Sequence, residues 1–386
     1  MSRHVFEKVA LVAAVSATWG MAQAQESELR DTVRYLEGRV QVLEEEKVVR
    51  EEAVKAASPI NFGALIEVEG AGGEDHEGAD SSDVVLATVE LVAEAQINDW
   101  THAQVAYLFE EDDTEPGEID QAILTFGNPE RSPFYLSGGR MYVPFGVFES
   151  GMVSDPLTLE LGETRESALQ VGFETGGLYG AAYAFNGDSQ EVGDDTDSID
   201  QFGANLGWAM ERDGYILDVG LGYISSVADS DGVSGAMGEI DRDEDGVADV
   251  DIDSLQDAVP GISAHAIVNT GSWTFIGEYT GASDDFQAAD MGFRGNGAQP
   301  TAWNLEANYG FMVMGRDVSV GVARQESAEA VELGLPESKT LAALSMGIMD
   351  NTALSLEYAL AEDYSMADGG SGEDGGIFTL QMAAEF

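Results

Sequence analysis

The feature that most constrains the fold of this chain is an alternation of apolar and polar residues that runs from Ile60 to the C-terminus. In the last segment, one face carries Phe378, Leu380, Met382, Ala384 and Phe386. The other face carries Thr379, Gln381 and Glu385. A period of two residues is the geometry of a β-strand. Segments of about ten residues with one apolar face are typical of transmembrane β-barrels, with lipid outside and water inside.

The same alternation divides the chain after residue 59 into sixteen predicted strands. An even number of strands is what single-chain bacterial barrels have. We therefore predict an all-β fold, a 16-stranded antiparallel transmembrane β-barrel over residues 59–386. We place the strands near 60–70, 83–97, 100–111, 119–127, 134–143, 165–175, 177–186, 199–210, 214–226, 261–270, 272–280, 300–311, 316–326, 338–349, 351–362 and 376–386.

The connections between these strands support the prediction independently, because their lengths alternate. Links such as Asn98-Asp99 and Asp350-Asn351 are short, and the intervening ones are long and acidic. In outer-membrane barrels the short turns face the periplasm and the long loops face outside. A soluble β-sandwich would not separate loop lengths so regularly. The long predicted loops are 71–82, 112–118, 144–164, 187–198, 227–260, 281–299, 327–337 and 363–375.

The N-terminal segment has the features of an export signal. Arg3 and Lys8 precede an apolar run over residues 9–15, and Ala22-Gln23-Ala24 provides a small-residue cleavage pattern. The apolar run is too short to span a bilayer. We therefore predict a cleaved signal peptide over residues 1–24, which places the rest of the chain outside the cytoplasm.

A heptad pattern follows the predicted signal peptide. Its apolar positions are spaced four and three residues apart, at Leu29, Val33, Leu36, Val40 and Leu43. This spacing predicts a periplasmic α-helical coiled-coil segment over residues 25–58, which Pro59 ends. Because an isolated helix of this length is marginal in water, we expect it to associate with copies of itself. The alternative is a charged helical spacer that packs on nothing.

The polar faces of the strands are strongly acidic. The chain has 72 acidic and 17 basic residues, for a formal net charge of −55, which excludes a nucleic-acid-binding surface. If the apolar faces meet lipid, the acidic ones line a water-filled lumen that favours cations over anions. The predicted lumen-lining residues are Glu67, Glu90, Glu94, Glu174, Asp218, Glu278, Glu306 and Glu357.

The long loop between the fifth and sixth strands carries more apolar residues than the other loops. This composition predicts a loop folded into the barrel, since a barrel of sixteen strands leaves a channel wide enough to need one. The alternative is a surface loop that contacts a neighbouring subunit. The predicted constriction carboxylates face Arg140 or Arg165, and they are Glu149, Asp155, Glu160 and Glu163.

One acidic loop matches the start of an EF-hand calcium loop. The predicted ligands are Asp241, Asp243, Asp245, Val247 and Asp249, with Gly246 at the sharp turn. The usual glutamate at the twelfth position is Ile252, so a plain charged loop is the alternative. We expect no required cofactor. We also expect no enzyme activity, because the sequence has no cysteine, no G-x-S-x-G and no histidine in a catalytic motif.

Within this layout, the segments Tyr142-Val143-Pro144-Phe145-Gly146 and Ser154-Asp155-Pro156-Leu157-Thr158-Leu159-Glu160 resemble the LbtU family of siderophore porins. The terminal Phe386 also resembles the outer-membrane assembly signal of porins. The resemblance implies passive passage of a siderophore or similar small solute across the bacterial outer membrane, without an energy-coupled plug domain. A general cation-preferring diffusion porin with no dedicated ligand is one alternative.

A structural barrel that its coiled coil tethers to the cell wall is the other alternative. We expect the barrel to contact outer-membrane lipid and to form a homo-oligomer. Analogy with porins of this size favours a trimer. By itself, however, Val and Leu at the a and d positions of the coiled coil would favour a dimer.

Overall fold

A computed structural model describes residues 60–111, 116–193, 198–242, 246 and 248–386. The predicted signal peptide and the predicted coiled coil lie outside these residues. Within the part of the chain that the structure describes, no helix is long and apolar enough to cross a membrane.

Within these described residues, sixteen antiparallel strands form one closed barrel, which confirms the predicted fold. Each strand pairs with its sequence neighbour, and β1 pairs with β16 to close the barrel, with Leu65 opposite Glu385. The strands are β1 (Ile60–Glu74), β2 (Asp80–Asn98), β3 (Thr101–Phe109), β4 (Glu118–Gly127), β5 (Phe134–Tyr142), β6 (Arg165–Thr175), β7 (Leu178–Phe185), β8 (Gln201–Arg212), β9 (Tyr215–Ile224), β10 (Gly261–Thr270), β11 (Trp273–Ala282), β12 (Thr301–Val313), β13 (Arg316–Ala328), β14 (Ser338–Met349), β15 (Thr352–Glu362) and β16 (Asp374–Glu385).

The outer face of the barrel is apolar. On β1 the side chain of Phe62 is 78% exposed, and on β9 that of Leu221 is 65% exposed. Exposing this much hydrocarbon to water costs about 25 cal/mol per Å², whereas a bilayer accommodates it. The outer face is therefore the membrane-facing surface of the barrel. Further exposed apolar side chains on it are Leu91, Leu169, Val171, Leu206, Leu305, Val322 and Leu380.

Tight turns join the strands at one end of the barrel. Between β6 and β7 the turn consists of Gly176 and Gly177, with φ angles of 59° and 85°. Positive φ at both central residues is the geometry of a two-residue hairpin turn and favours glycine. The strand that follows β6 therefore returns directly beside it, as the alternation of loop lengths predicted.

Long loops join the strands at the other end and contain the short helices of the structure. Loop 3 (143–164) contains α1 (Leu157–Glu160), and loop 5 (225–260) contains α2 (Asp231–Met237). Short 3-10 turns occupy Val227–Asp229, Ile252–Ser254 and Val331–Leu333. Further long loops are loop 4 (186–200), loop 6 (283–300), loop 7 (329–337) and loop 8 (363–373). Loop 6 carries a hairpin of two-residue strands, Gly292–Phe293 and Asn296–Gly297.

Loops 3, 5, 6 and 7 pack together around buried apolar side chains that we call the loop core. Arg242 of loop 5 braces this packing, because its guanidinium donates to both carboxylate oxygens of Glu332 at 2.8 and 2.9 Å and to the carbonyl of Ala289 at 3.1 Å. The long loops therefore form a cap with its own packed interior. The loop core consists of Leu157, Leu161, Val227, Ala228, Val233, Met237, Ile240, Val250, Leu255, Val259, Ala282, Phe286, Met291, Ala298, Ala302, Ala330 and Leu333.

Candidate pore constriction

The register of the strands places acidic side chains on the inner face of the barrel. Glu278, for example, lies opposite His265 on β10 and Asn304 on β12, while the neighbouring Tyr279 is exposed on the outer face. The carboxylates predicted to line the lumen all occupy such inward positions: Glu67, Glu90, Glu94, Glu174, Asp218, Glu278, Glu306 and Glu357.

Loop 3 folds into the barrel and lies against the inner faces of β10–β15. Its first anchor is Glu278 of β11, whose carboxylate accepts the backbone N–H groups of Val147 and Phe148 at 2.8 and 2.9 Å. The second anchor is Glu306 of β12, which accepts the N–H of Gly151 at 2.6 Å. Turns and loops leave backbone N–H groups unpaired, and a buried one needs an acceptor. The wall supplies these acceptors to loop 3.

The third anchor holds the next part of loop 3. Glu357 of β15 is 1% exposed, and its carboxylate accepts the N–H groups of Val153 and Ser154 at 2.6 and 3.2 Å. Beside it, the side-chain oxygen of Gln325 accepts the N–H of Leu157 at the start of α1, at 3.2 Å. We call Glu278, Glu306 and Glu357 the anchor carboxylates. They hold the loop rather than simply facing the lumen water.

One close approach between loop 3 and the wall depends on the absence of a side chain. A Cβ atom added to Gly222 of β9 would lie 1.9 Å from the carbonyl oxygen of Phe145. The neighbouring Ser263 hydroxyl on β10 donates to that same oxygen. Glycine at this position therefore lets the start of loop 3 reach the inner surface of the barrel.

A cavity of about 260 Å³ lies against the inner faces of β3–β6, beside Pro144 at the start of loop 3. On the same side, Glu69 of β1 accepts the side-chain amide of Gln381 at 2.7 Å, and Glu67, Glu90 and Glu94 lie at inward positions of β1 and β2. We call β1–β6 the opposite wall. The lining of the cavity is mostly polar and comprises His102, Gln104, Thr125, Ser137, Tyr142 and Gln170, together with Ile123, Met141 and Pro144.

Asp218 belongs to a separate polar cluster on the inner face. Its carboxylate accepts the hydroxyl of Tyr179 at 2.7 Å and lies 3.5 Å from Nε2 of His265. The Tyr179 oxygen is also 3.3 Å from that same nitrogen. This carboxylate therefore has specific partners on β7 and β10. Sequence reasoning missed Tyr179, although its inward position follows from the alternation along β7.

The structure separates the residues predicted to form the constriction. Arg165 pairs with Glu118 and with Asp120, the latter at 2.9 Å, and Arg140 lies 3.5 Å from Glu118. These arginines thus pair with carboxylates of β4, not with those of loop 3. Asp155 is exposed, whereas Glu149, Glu160 and Glu163 are half-buried. Tyr142 also donates to Asp120, at 2.8 Å.

Glu163 lies at the end of loop 3, where loop 5 begins to pack against it. Burial raises the pKa of Glu163 to about 8, and the nearby charge of Asp231 adds to this effect. The N–H of Asp231 donates to the carbonyl of Glu163 at 2.8 Å. Burial and the charge of Asp231 therefore favour the protonated form of Glu163.

The acidic loop at 241–249 is partly described. Asp241 accepts the N–H of Gly246 at 2.7 Å, and Asp249 accepts that of Arg242 at 2.7 Å. Asp243, Asp245 and Val247 lie outside the described residues, so calcium binding stays a prediction. In the part of the chain that the structure describes, no group of three or more histidine, aspartate and glutamate side chains is placed to hold a metal ion.

No family model matches the chain. It is 27% identical over 311 residues to a UPF0422 protein of Coxiella burnetii, covering 79% of this chain and 64% of that protein. It is 28% identical over 316 residues to a UPF0422 protein of Legionella pneumophila, covering 75% of this chain and 56% of that protein. The chain thus spans less than two thirds of the length of these curated relatives.

Solved structures give a longer match at lower identity. Pseudomonas putida OprB superposes with a TM-score of 0.57 at 11% identity, over 86% of this chain and 96% of that one. The anion-selective porin of Comamonas acidovorans superposes with a TM-score of 0.56 at 13% identity, over 85% and 99%. The fold is that of an outer-membrane porin. The outer membrane channel DcaP of Acinetobacter baumannii also shares this porin fold, with a TM-score of 0.55 at 12% identity, over 85% and 97%.

The porin fold and the apolar outer face place the barrel in the bacterial outer membrane. Two of these solved proteins are named a porin and a channel. The resemblance to outer-membrane porins is confirmed at the level of fold. The relatives found by sequence are UPF0422 proteins, so membership of the LbtU family remains a hypothesis.

Proposed function

We propose that this porin fold forms a water-filled channel for the passive passage of small solutes. The observation that carries the proposal is the path of loop 3, which the anchor carboxylates hold against β11–β15. On the inner face of β3–β6, beside the start of loop 3, a cavity with mostly polar lining remains. A loop held to one side narrows a barrel of this size without filling it, which suits diffusion of solutes through water.

The second part of the proposal is a preference for cations. Glu67, Glu69, Glu90 and Glu94 lie at inward positions of β1 and β2, and the charge of Asp155 on loop 3 acts on Glu67 and Glu69. Acidic walls around a narrow aqueous path raise the local concentration of cations and lower that of anions.

The test is ion selectivity in a planar bilayer. The purified full-length chain is expected to conduct, and the reversal potential across a tenfold KCl gradient should indicate that K⁺ is favoured over Cl⁻. Glu67→Gln combined with Glu94→Gln should reduce this preference. The matched control is Glu326→Gln, which removes a carboxylate from the outer face, where Glu326 pairs with Arg324 at 3.0 Å. Anion preference, or an equal effect of the control, would contradict the proposal.

A finer proposal is that a ferric siderophore is among the solutes. Its support is the resemblance of residues 142–146 and 154–160 to siderophore porins, and both segments belong to the part of the barrel around loop 3. Ferric siderophores added to one side should then lower the single-channel conductance in a concentration-dependent manner. If the conductance is unaffected by any siderophore class, a general diffusion porin is the better description.

We also propose that the barrel assembles as a trimer in outer-membrane lipid and that the predicted coiled coil projects towards the cell wall. One structural relative, OmpT of Vibrio cholerae, is described in a trimer form. Native mass spectrometry of the detergent-extracted protein should give three times the monomer mass.

Deletion of residues 25–58 should leave conductance intact and reduce co-sedimentation with peptidoglycan. Loss of conductance in that variant would contradict a purely tethering role for the segment.

A further inference from the structure

Three side chains of the inner wall bring different donor atoms to one point. They are Tyr179 of β7, Asp218 of β9 and His265 of β10, and we call them the Tyr-Asp-His trio. The hydroxyl oxygen of Tyr179 lies 2.7 Å from Oδ1 of Asp218 and 3.3 Å from Nε2 of His265. Oδ1 of Asp218 lies 3.5 Å from that same nitrogen. Two oxygens and one nitrogen from three strands therefore form a single small triangle.

The wall is shaped so that the two rings can meet. Tyr179, Gly207, Gly220 and His265 occupy one row across β7, β8, β9 and β10. A Cβ atom on Gly207 would lie 2.2 Å from the Tyr179 ring, and one on Gly220 would lie 2.4 Å from the His265 ring. The two glycines thus form a floor beneath both rings. Glycine weakens the interior of a strand, and it often marks a place where a ligand or another backbone approaches closely.

The surroundings of the trio are negatively charged. Glu149 of loop 3 is one of the groups whose charge acts on Tyr179, and Glu278 of β11 lies opposite His265. The side chain of Asp218 is 27% exposed and that of His265 is 9% exposed, so an ion can reach the trio past Asp218. The field of these carboxylates favours a cation at that point.

The distances within the trio fit the ligands of one metal ion. Transition-metal ions bind nitrogen and oxygen donors at about 2.0–2.2 Å, so two neighbouring ligands of one ion are about 2.9–3.4 Å apart. The separations of 2.7, 3.3 and 3.5 Å lie around this range, and small side-chain shifts bring all three atoms onto one ion. One donor is a phenol, so the trio differs from a group of three or more histidine and acidic side chains, which the described residues lack.

We propose that Tyr179, Asp218 and His265 bind a ferric ion on the inner wall of the barrel. Imidazole and carboxylate together form iron sites with open positions, and a tyrosine oxygen is an iron ligand in some haem proteins. The chain has no cysteine, which excludes a thiolate site for softer metals. This site goes beyond the proposed function, because it does not require conduction.

Binding at this site moves one proton and no electrons. The phenol of Tyr179 releases its proton to water when its oxygen binds the ion, as metal ligands must be deprotonated. Asp218 binds as the carboxylate, and Nε2 of His265 supplies its lone pair. The iron stays ferric, and its remaining coordination positions are left for water or for the oxygens of a chelating solute.

The experiment is a titration of the purified full-length chain in detergent with ferric nitrilotriacetate, followed by desalting. We expect retained iron and a visible phenolate-to-iron charge-transfer absorption. Tyr179→Phe should abolish the absorption. Asp218→Asn, which keeps the side-chain shape, should weaken iron binding at least about tenfold, because even residues behind metal ligands contribute about 10- to 100-fold. His265→Gln should weaken it to a similar extent.

The matched control is Tyr183→Phe on the same strand. The Tyr183 ring also lies over a glycine, Gly203, but its hydroxyl donates to the backbone carbonyl of Tyr223 at 3.2 Å. The charge-transfer absorption should therefore persist in this variant. Heat-modified gel mobility of each variant checks that the barrel has folded, and Asp218→Asn and His265→Gln keep the test available if Tyr179→Phe does not fold.

Several outcomes would overturn the inference. They are no absorption in the unmodified chain, persistence of the absorption in Tyr179→Phe, and equal iron binding in the unmodified chain and in Asp218→Asn and His265→Gln. Retention of Zn²⁺ or Cu²⁺ in preference to ferric ion would overturn the choice of metal. A conducting chain that binds no iron would refute the site and leave the channel standing, whereas a chain that binds iron but never conducts would refute the channel alone.

Discussion

Individual carboxylates fix the position of loop 3 inside the barrel. Glu357 has almost no contact with solvent, yet it faces backbone donors from Val153 and Ser154 and the hydroxyl of Ser154. Hydrogen bonds to an ionised acceptor are about twice as strong as neutral ones. A buried acid is therefore retained here because it satisfies several donors of a loop that has no strand to pair with.

Replacing Glu357 by alanine tests this role. The change leaves the N–H groups of loop 3 unpaired, at a cost of about 1–3 kcal/mol for each buried donor. We expect a lower unfolding temperature by heat-modified gel mobility and a larger, noisier single-channel conductance. Glu326→Ala, on the outer face, is the matched control and should change neither. Unchanged conductance in Glu357→Ala would mean that the loop keeps its position without this anchor.

A second residue-scale prediction concerns the pH dependence of stability. Asp229 in loop 5 is 1% exposed and accepts the backbone N–H and the hydroxyl of Ser189, both at 2.7 Å. Burial raises its pKa to about 6, from 3.8. Between these values the folded state holds a proton that the unfolded chain has lost, so stability falls as the pH rises through this window and stays lower above it.

The Asp229→Asn variant keeps the acceptor oxygen and removes the titration. Its unfolding temperature should therefore vary less between pH 4 and pH 7 than that of the unmodified chain, and it should be the more stable of the two at pH 7. Asp188 is the charged neighbour that also raises this pKa, so Asp188→Asn should shift the window downward. An undiminished pH dependence in Asp229→Asn would show that other groups cause it.

At the scale of elements, the strands were predictable from sequence and the positions of the loops were not. Period-two alternation is local, so segments such as 376–386 indicate their own structure and their own inner face. The anchors are not local, because Glu357 and Val153 are 204 residues apart. Leu157 and Leu161 indicate that loop 3 packs against an apolar surface. The composition of loop 3 does not show that this surface belongs to loops 5 and 6.

The pairing of the charged residues predicted for the constriction could not be predicted from the sequence either. Arg165 was expected to face loop 3, but it pairs with Asp120 of β4 at 2.9 Å. No local pattern in the sequence indicates this contact. Lys339, by contrast, had a readable signal, since it is the barrel's only lysine and alternation along β14 places it on the polar side.

The cap of packed loops gives a prediction at this scale. Arg242 joins loops 5, 6 and 7 through Glu332 and the carbonyl of Ala289. Arg242→Gln should loosen these loops, so proteinase K should cut them about tenfold faster for a local destabilisation of about 1.4 kcal/mol. Arg131→Gln, at the other end of the barrel, should leave the rate unchanged. Equal cleavage rates in both variants would mean that the loop core alone holds the cap.

For the whole molecule, the formal net charge of −55 makes stability depend on salt. Self-repulsion among so many carboxylates opposes a compact fold, and raising the salt from about 0.1 to 1 M shortens the screening length from about 10 to 3 Å. The unfolding temperature should therefore rise with NaCl and with KCl to the same extent. A response to CaCl₂ alone, at equal ionic strength, would instead indicate a specific divalent site.

The distance along the chain between loop 3 and its third anchor has a consequence for assembly. The loop is synthesised early, but Glu357 lies on the last strand but one, so the barrel wall must be almost complete before the loop can settle. The docking of loop 3 against the wall is therefore expected among the final events of folding. A barrel that inserted before loop 3 docked would have a wider lumen and a more permeable wall. We therefore expect membrane insertion and loop docking to occur close together in time.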